Sequence, residues 1–128
     1  MKLQNDCPCG TGLLYDDCCG RLHRGAAQAI NPEQLMRSRY SAYVVGDVDH
    51  VFRTWHPRTR PDDVSVDPAV RWTRLQVLEA TDTEVEFAAD YELHGATYQL
   101  HERSTFEQRG GRWVYVAAVR ASTDSTDS

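Results

Sequence analysis

Residues 84–119 read EVEFAADYELHGATYQLHERSTFEQRGGRWVYVAAV, and the period of this stretch decides the fold class. Val85, Phe87, Ala89, Tyr91 and Leu93 alternate with Glu86, Asp90 and Glu92, the pattern of a strand with one buried face and one wet face. The run breaks at His94-Gly95-Ala96 and again at Gly110-Gly111, a strong two-residue hairpin signal. With the alternation that begins at Arg71 and pauses at Thr81-Asp82-Thr83, the spacing predicts strands over 71–79, 84–93, 97–108 and 112–119. Connections this short join antiparallel neighbours, so the sheet is expected to be a meander.

One position breaks the pattern. The parity of the third strand runs Tyr98, Leu100, Glu102, Ser104, Phe106, which sets Glu102 on the side of three large apolar residues. A carboxylate there needs a partner. It is either an ion pair with an arginine at the rim of the core or a polar group in a ligand cavity, suited to proton transfer. Parity alone does not choose.

Upstream of Arg71 the period lengthens to that of helices. Asn31 can cap, Pro32 fits the first helical position and Gln34 completes a capping-box pattern. Met36, Tyr40, Tyr43 and Val44 then share a face until Gly46 ends the helix. Asp47 can cap a second helix, whose Val48, Val51, Phe52 and Trp55 make an apolar stripe before Pro57 stops it. The fold class is therefore α+β, helices followed by an antiparallel sheet over residues 31–120. Residues 1–20 form a separate small module and 21–30 a linker or short helix. The tail 121–128, ASTDSTDS, has nothing to bury and is expected to be disordered.

All four cysteines fall between positions 7 and 19, as Cys7-Pro8-Cys9 and Cys18-Cys19 in a segment bearing Gly10, Gly12 and Gly20. The start MKLQNDCPCG is too polar for a signal peptide, and no run approaches the roughly 18 apolar residues that span a bilayer. A cytoplasmic, reducing location is expected, which disfavours two disulfides. Four thiolates this close can instead surround one tetrahedral ion. An all-sulfur, closed set made of Cys7, Cys9, Cys18 and Cys19 suits structural Zn²⁺. A redox dithiol and an iron–sulfur cluster are the alternatives. The glycines are expected to supply the positive φ that such tight ligand spacing requires.

Composition narrows the function classes. The chain has 128 residues, 41% of them hydrophobic, enough for one globular domain with a core and perhaps one cavity. Its 14 Lys+Arg against 19 Asp+Glu leave a net charge of −5 and no broad basic surface, so nucleic acid is not an expected partner, and neither is a membrane.

The stretch Cys7-Pro8-Cys9-Gly10-Thr11-Gly12, through Tyr15 to Cys18-Cys19-Gly20, resembles the SEC-C motif, the zinc-binding element also found at the C-terminus of the SecA translocation ATPase. Further phrases resemble the YchJ family of bacterial SEC-C proteins: Leu35-Met36-Arg37-Ser38-Arg39-Tyr40, Ala42-Tyr43, Thr54-Trp55-His56-Pro57 and Glu102-Arg103-Ser104. That resemblance implies a nuclear transport factor 2-like cone, a curved antiparallel sheet wrapped around helices. One departure bears on partners. Where the SecA motif is basic, this loop carries Leu13, Leu14, Asp16 and Asp17, so the charge attraction to the acidic chaperone SecB is absent.

Two functions follow for testing. The first is a non-catalytic adaptor that binds another protein through the zinc module, with Leu13, Leu14 and Tyr15 as its contact patch. It predicts a filled cone and Glu102 paired with Arg37, Arg39 or Arg103. The alternative is a small-molecule binder, or an isomerase- or dehydratase-like enzyme, with Glu102 as acid or base in an open cavity. Tyr40, Tyr43 or Tyr98 would then donate to a developing oxyanion, and Trp55, Trp72, Tyr91 and Trp113 would help line the cavity. His56 is a further catalytic candidate, although before Pro57 it can simply cap the helix.

Overall fold

The structure, a computed structural model, describes residues 5–125. The Cys-rich segment folds as turns, a 3₁₀ turn over Tyr15–Asp17, and a short helix α1 at Cys19–His23. Helix α1 therefore runs across the boundary expected at residue 20.

Helix α2, Pro32–Val45, starts where its caps place it. The Asn31 Oδ1 accepts from the Gln34 N–H at 2.8 Å, while the Gln34 side chain accepts from the Ile30 N–H at 2.9 Å. Gly46, at φ 82°, closes it in the left-handed conformation, and the N–H groups of Gly46 and Asp47 both donate to the Ala42 carbonyl at 2.8 Å. Asp47 caps α3, Val48–Arg53, by accepting from the His50 N–H at 3.0 Å. Of the expected apolar stripe, Val51 is fully buried and Trp55, just past the end of α3, faces the inside of the cone, whereas Val48 and Phe52 are exposed. Six residues form fewer than two turns. Polar partners rather than a stripe pin this helix, and the Arg60 guanidinium covers Phe52 at 3.8 Å.

Strands β1 (Arg71–Ala80), β2 (Glu84–Leu93), β3 (Ala96–Arg109) and β4 (Arg112–Ser125) form one antiparallel sheet in the order β1-β2-β3-β4. The Gly110-Gly111 turn has φ of 60° and 82°, as a two-residue hairpin loop of the I′ kind demands. Register shifts in β1–β2 and in β3–β4 mark where the strands bend. Helix α2 lies on the concave face. Leu35 and Met36 pack there with Val85 and Phe106, flanked by Leu75, Val77 and Phe87.

The tail differs from expectation. Residues 121–125 extend β4, pairing Ala121 with Glu102 and Ser125 with Tyr98, while 126–128 lie outside the described residues. Small polar side chains bury little, but pairing is a backbone matter, and the first half of β3 would otherwise present an unpaired row of N–H and C=O groups. No helix among the described residues is long and apolar enough to cross a membrane.

Candidate functional site

Turn hydrogen bonds fold the two cysteine pairs onto each other. The Cys7 N–H donates to the Leu13 carbonyl at 2.7 Å, and the Cys18 N–H to the Tyr15 carbonyl at 3.0 Å. Gly10 and Gly12 take φ of 88° and 85°, as the sequence suggests; Gly20 does not. Gly20 sits inside α1, where an added Cβ would lie 2.7 Å from the Tyr15 carbonyl oxygen and 3.0 Å from its ring. Close approach, not φ, requires glycine there.

The four buried thiols are free, and their Sγ atoms lie within 4.8 Å of one another, with Cys9 and Cys18 3.6 Å apart. Sulfurs around a tetrahedral zinc with Zn–S of about 2.3 Å are roughly 3.8 Å apart, so the set fits one ion with little movement. Hydrogen bonding from Cys19, then from Cys9, holds the Cys7 thiol well below its ordinary range. The same contact with Cys7, then Cys9 and burial, pushes Cys19 far up. One thiolate forms readily and further ones repel it, a cost that a divalent cation removes.

This cluster is fastened to α2. Ser41 Oγ lies 3.5 Å from Cys7 Sγ, and Arg37 donates to the Cys9 carbonyl at 2.5 Å while pairing with Glu33 at 3.0 Å. The Tyr15 hydroxyl meets His23 Nδ1 at 2.6 Å, leaving His23 Nε2–H to donate to the Ser38 carbonyl at 2.8 Å. Ser38 Oγ donates to the Leu35 carbonyl at 2.7 Å and accepts from His50 Nε2 at 2.9 Å. His50 Nδ1 is left buried without a partner among the described residues.

The opposite face of α2 borders a cavity of about 340 Å³ inside the cone. Met36, Tyr40 and Tyr43 form one wall, Phe87, Leu100 and Phe106 the sheet side, and Trp55 and Trp72 the ends. Its polar groups are Arg39, Glu102, Ser104 and the hydroxyls of Tyr40, Tyr43 and Tyr115. The cone is therefore not filled, unlike the filled cone expected with the adaptor reading. Nor is Glu102 in an ion pair among the described residues. Arg37 is engaged as above, and Arg103 lies on the other face, bound to Glu84 at 2.6 Å and to Glu79 and Glu86. Arg39 donates through Nη1 to the Val51 carbonyl at 3.0 Å and to Thr54 Oγ1 at 2.8 Å. Alternation explains this: Arg103 is one residue from Glu102 and so points to the opposite face.

Glu102 Oε2 accepts from Ser104 Oγ and, at 3.4 Å, from the Tyr115 hydroxyl. The buried Arg39 guanidinium stacks 4.5 Å from the Tyr115 ring centroid and 5.0 Å from that of Trp55. Burial lowers the affinity of Arg39 for its proton and raises that of the phenols, Tyr40 to about 12 and Tyr43 and Tyr115 upward likewise. The phenols are thus neutral donors at working pH.

Of the residues singled out from sequence, Tyr40, Tyr43, Trp55, Trp72 and Glu102 reach the cavity. Tyr91 and Tyr98 do not; they stack on each other with centroids 5.2 Å apart. Trp113 packs against the Leu35 core, and the His56 ring accepts from the Arg58 N–H at 3.0 Å near Glu107. Arg39 and Tyr115 were not anticipated as lining groups. Arg39 stands three residues after Met36 and four before Tyr43, a spacing that puts all three on one helix face.

Comparison with known proteins agrees with this architecture. Residues 31–118 match the family described as the YchJ middle NTF2-like domain, and residues 5–21 match the SEC-C motif. A UPF0225 protein of Streptomyces coelicolor is 48% identical over 112 residues, covering 85% of this chain and 90% of that one. One from Cupriavidus pinatubonensis is 50% identical over 121 residues, covering 86% and 85%. The solution structure of a SEC-C motif protein from Rhodopseudomonas palustris superposes with a TM-score of 0.77 at 36% identity, covering 88% of this chain and 95% of that one. A crystal structure of a SEC-C motif protein from Psychrobacter arcticus gives 0.72 at 27%, covering 87% and 80%.

Proposed function

The chain belongs to the YchJ (UPF0225) family of SEC-C motif proteins with an NTF2-like domain, and from that premise we propose that it is a cytoplasmic small-molecule-binding protein whose cone holds the ligand and whose four-cysteine zinc site is structural. The observation that carries this reading is the open cavity, apolar over most of its wall, in which Arg39 and Glu102 are held by neutral partners rather than by each other. When bound, Zn²⁺ supplies charge neutralisation and cross-linking to Cys7, Cys9, Cys18 and Cys19. Through Ser41, Arg37 and the Tyr15–His23–Ser38 chain, those residues hold α2 at the depth that shapes the cavity wall.

The test is titration of the zinc-loaded protein with N-phenyl-1-naphthylamine, a neutral apolar dye that brightens in dry pockets. Saturable binding to wild type, lost in Leu100→Trp, which fills the space, supports the reading. Equal binding by both proteins places the dye elsewhere and rejects it. The adaptor reading retains one observation, Leu13 at 52% exposed on the rim of the Cys-rich segment. A partner that is captured by wild type and lost with Leu13→Asp, without loss of zinc, would support that alternative.

A further inference from the structure

The hydrogen-bond pattern of the cavity narrows the ligand class. Arg39 commits Nη1 to Val51 and Thr54, but its Nε and Nη2 donate to none of the described residues. The hydroxyls of Tyr40 and Tyr43 make no hydrogen bond among those residues either, although both side chains line the cavity. The unused capacity on this side is therefore dominated by donors, one of them cationic. Opposite, Glu102 Oε2 is occupied by Ser104 and Tyr115, whereas Oε1 accepts from none of the described residues. Tyr115 relates the two sides: Arg39 lies over its ring and Glu102 at its hydroxyl. The charges are thus kept apart by a single phenol, and a ligand lying along Tyr115 meets both when it is about one aromatic ring long.

We infer that the cavity selects a planar aromatic carboxylate with a hydroxyl or amino donor at the far end, its carboxylate on Arg39 and the Tyr40/Tyr43 hydroxyls and its donor on Glu102. This rests on the cavity reading above. Arg favours a carboxylate through its planar fork of N–H donors, and buried groups built for hydrogen bonding discriminate strongly against analogues lacking the partner. Trp55, Trp72 and Phe106 provide aromatic surface for the ring.

Quenching of intrinsic tryptophan fluorescence in the zinc-loaded full chain tests this with 4-hydroxybenzoate, benzoate, phenol and benzylamine as probes. The expected order is 4-hydroxybenzoate tightest, benzoate about fivefold weaker, phenol at least about tenfold weaker, and benzylamine weakest, since it brings a cation to Arg39. Glu102→Gln should shrink the gap between 4-hydroxybenzoate and benzoate to less than about twofold. Arg39→Met should abolish the preference for the carboxylates over phenol, and Tyr43→Phe, a change that removes one hydroxyl and leaves the fold, should weaken both carboxylates without affecting phenol; the second variant keeps the test valid if the first folds poorly. Equal affinity for all four probes, or preference for benzylamine, overturns the inference. If the naphthylamine dye still binds in those cases, the cavity reading stands alone; if neither dye nor any probe binds, both fail.

Discussion

Gly20→Ala should weaken zinc binding while leaving the cone folded. The added methyl would sit 2.7 Å from the Tyr15 carbonyl oxygen and 3.0 Å from the ring, both on the 3₁₀ turn that leads into Cys18. Ordinary van der Waals contact needs several tenths of an ångström more, and a backbone carbonyl cannot rotate away. Overpacking of this kind costs about 1–3 kcal/mol, of which alanine's better helix propensity in α1 offsets at most about 1 kcal/mol. The metal-free segment can relax, so the strain falls on the loaded state and subtracts directly from the binding free energy. Because the contact is with backbone, the upper half of that range applies, and the net loss of about 1–2 kcal/mol is about a 5- to 30-fold drop in zinc affinity. Competition against a chromogenic chelator reads it, with the urea midpoint of the tryptophan signal as the control for the sheet. Zinc affinity within about twofold of wild type would show that α1 and the Tyr15 turn slide past each other freely, and the close-approach argument would be wrong.

Other outcomes follow from the same geometry. Arg39→Met should change the urea midpoint by less than about 1.5 kcal/mol equivalent, because Thr54 still bonds the Val51 and His50 carbonyls and a buried, unpaired cation is relieved; a loss above about 3 kcal/mol would make Arg39 a structural requirement. Burial above all, with His23 and Arg53 close by, pushes His50 down to about 3, below its unfolded value near 6.5. The unfolded chain therefore binds the extra proton, and stability attributable to His50 falls from about pH 6.5 downward, by about 2 kcal/mol at pH 5; His50→Gln should remove that increment from the pH profile of urea unfolding. Deleting residues 121–128 should lower hydrogen-exchange protection at Tyr98–Glu102 and leave zinc stoichiometry unchanged, whereas unchanged protection would mean the strand extension contributes nothing.

Much of this was legible because local rules and tertiary structure agreed. Asn31-Pro32 and Gly46 punctuate α2, and Gly110-Gly111 sets the β3–β4 register; the strand parity put Glu102 on the inner face where it is found. Partner choice was not legible. Three arginines were equally available to Glu102 from pattern alone, and only the observed packing shows Arg103 on the outside, Arg37 on the Cys-rich segment and Arg39 stacked on Tyr115. The end of β4 escaped notice because composition reports side-chain burial, whereas residues 121–125 are held by backbone pairing.

The nearest-neighbour strand order also governs how the protein is made. Synthesis delivers the Cys-rich segment and the three helices first and β4 last, yet β4 supplies Tyr115, whose backbone bridges Trp55 and whose ring supports Arg39. Until that strand leaves the ribosome the inner face of α2 has only β1–β3 to cover it, although the four cysteines are already outside. On the proposed reading, zinc is captured during translation, before the cavity closes. Closure must then await the turn at Gly110-Gly111, whose hairpin pairing is local and therefore fast.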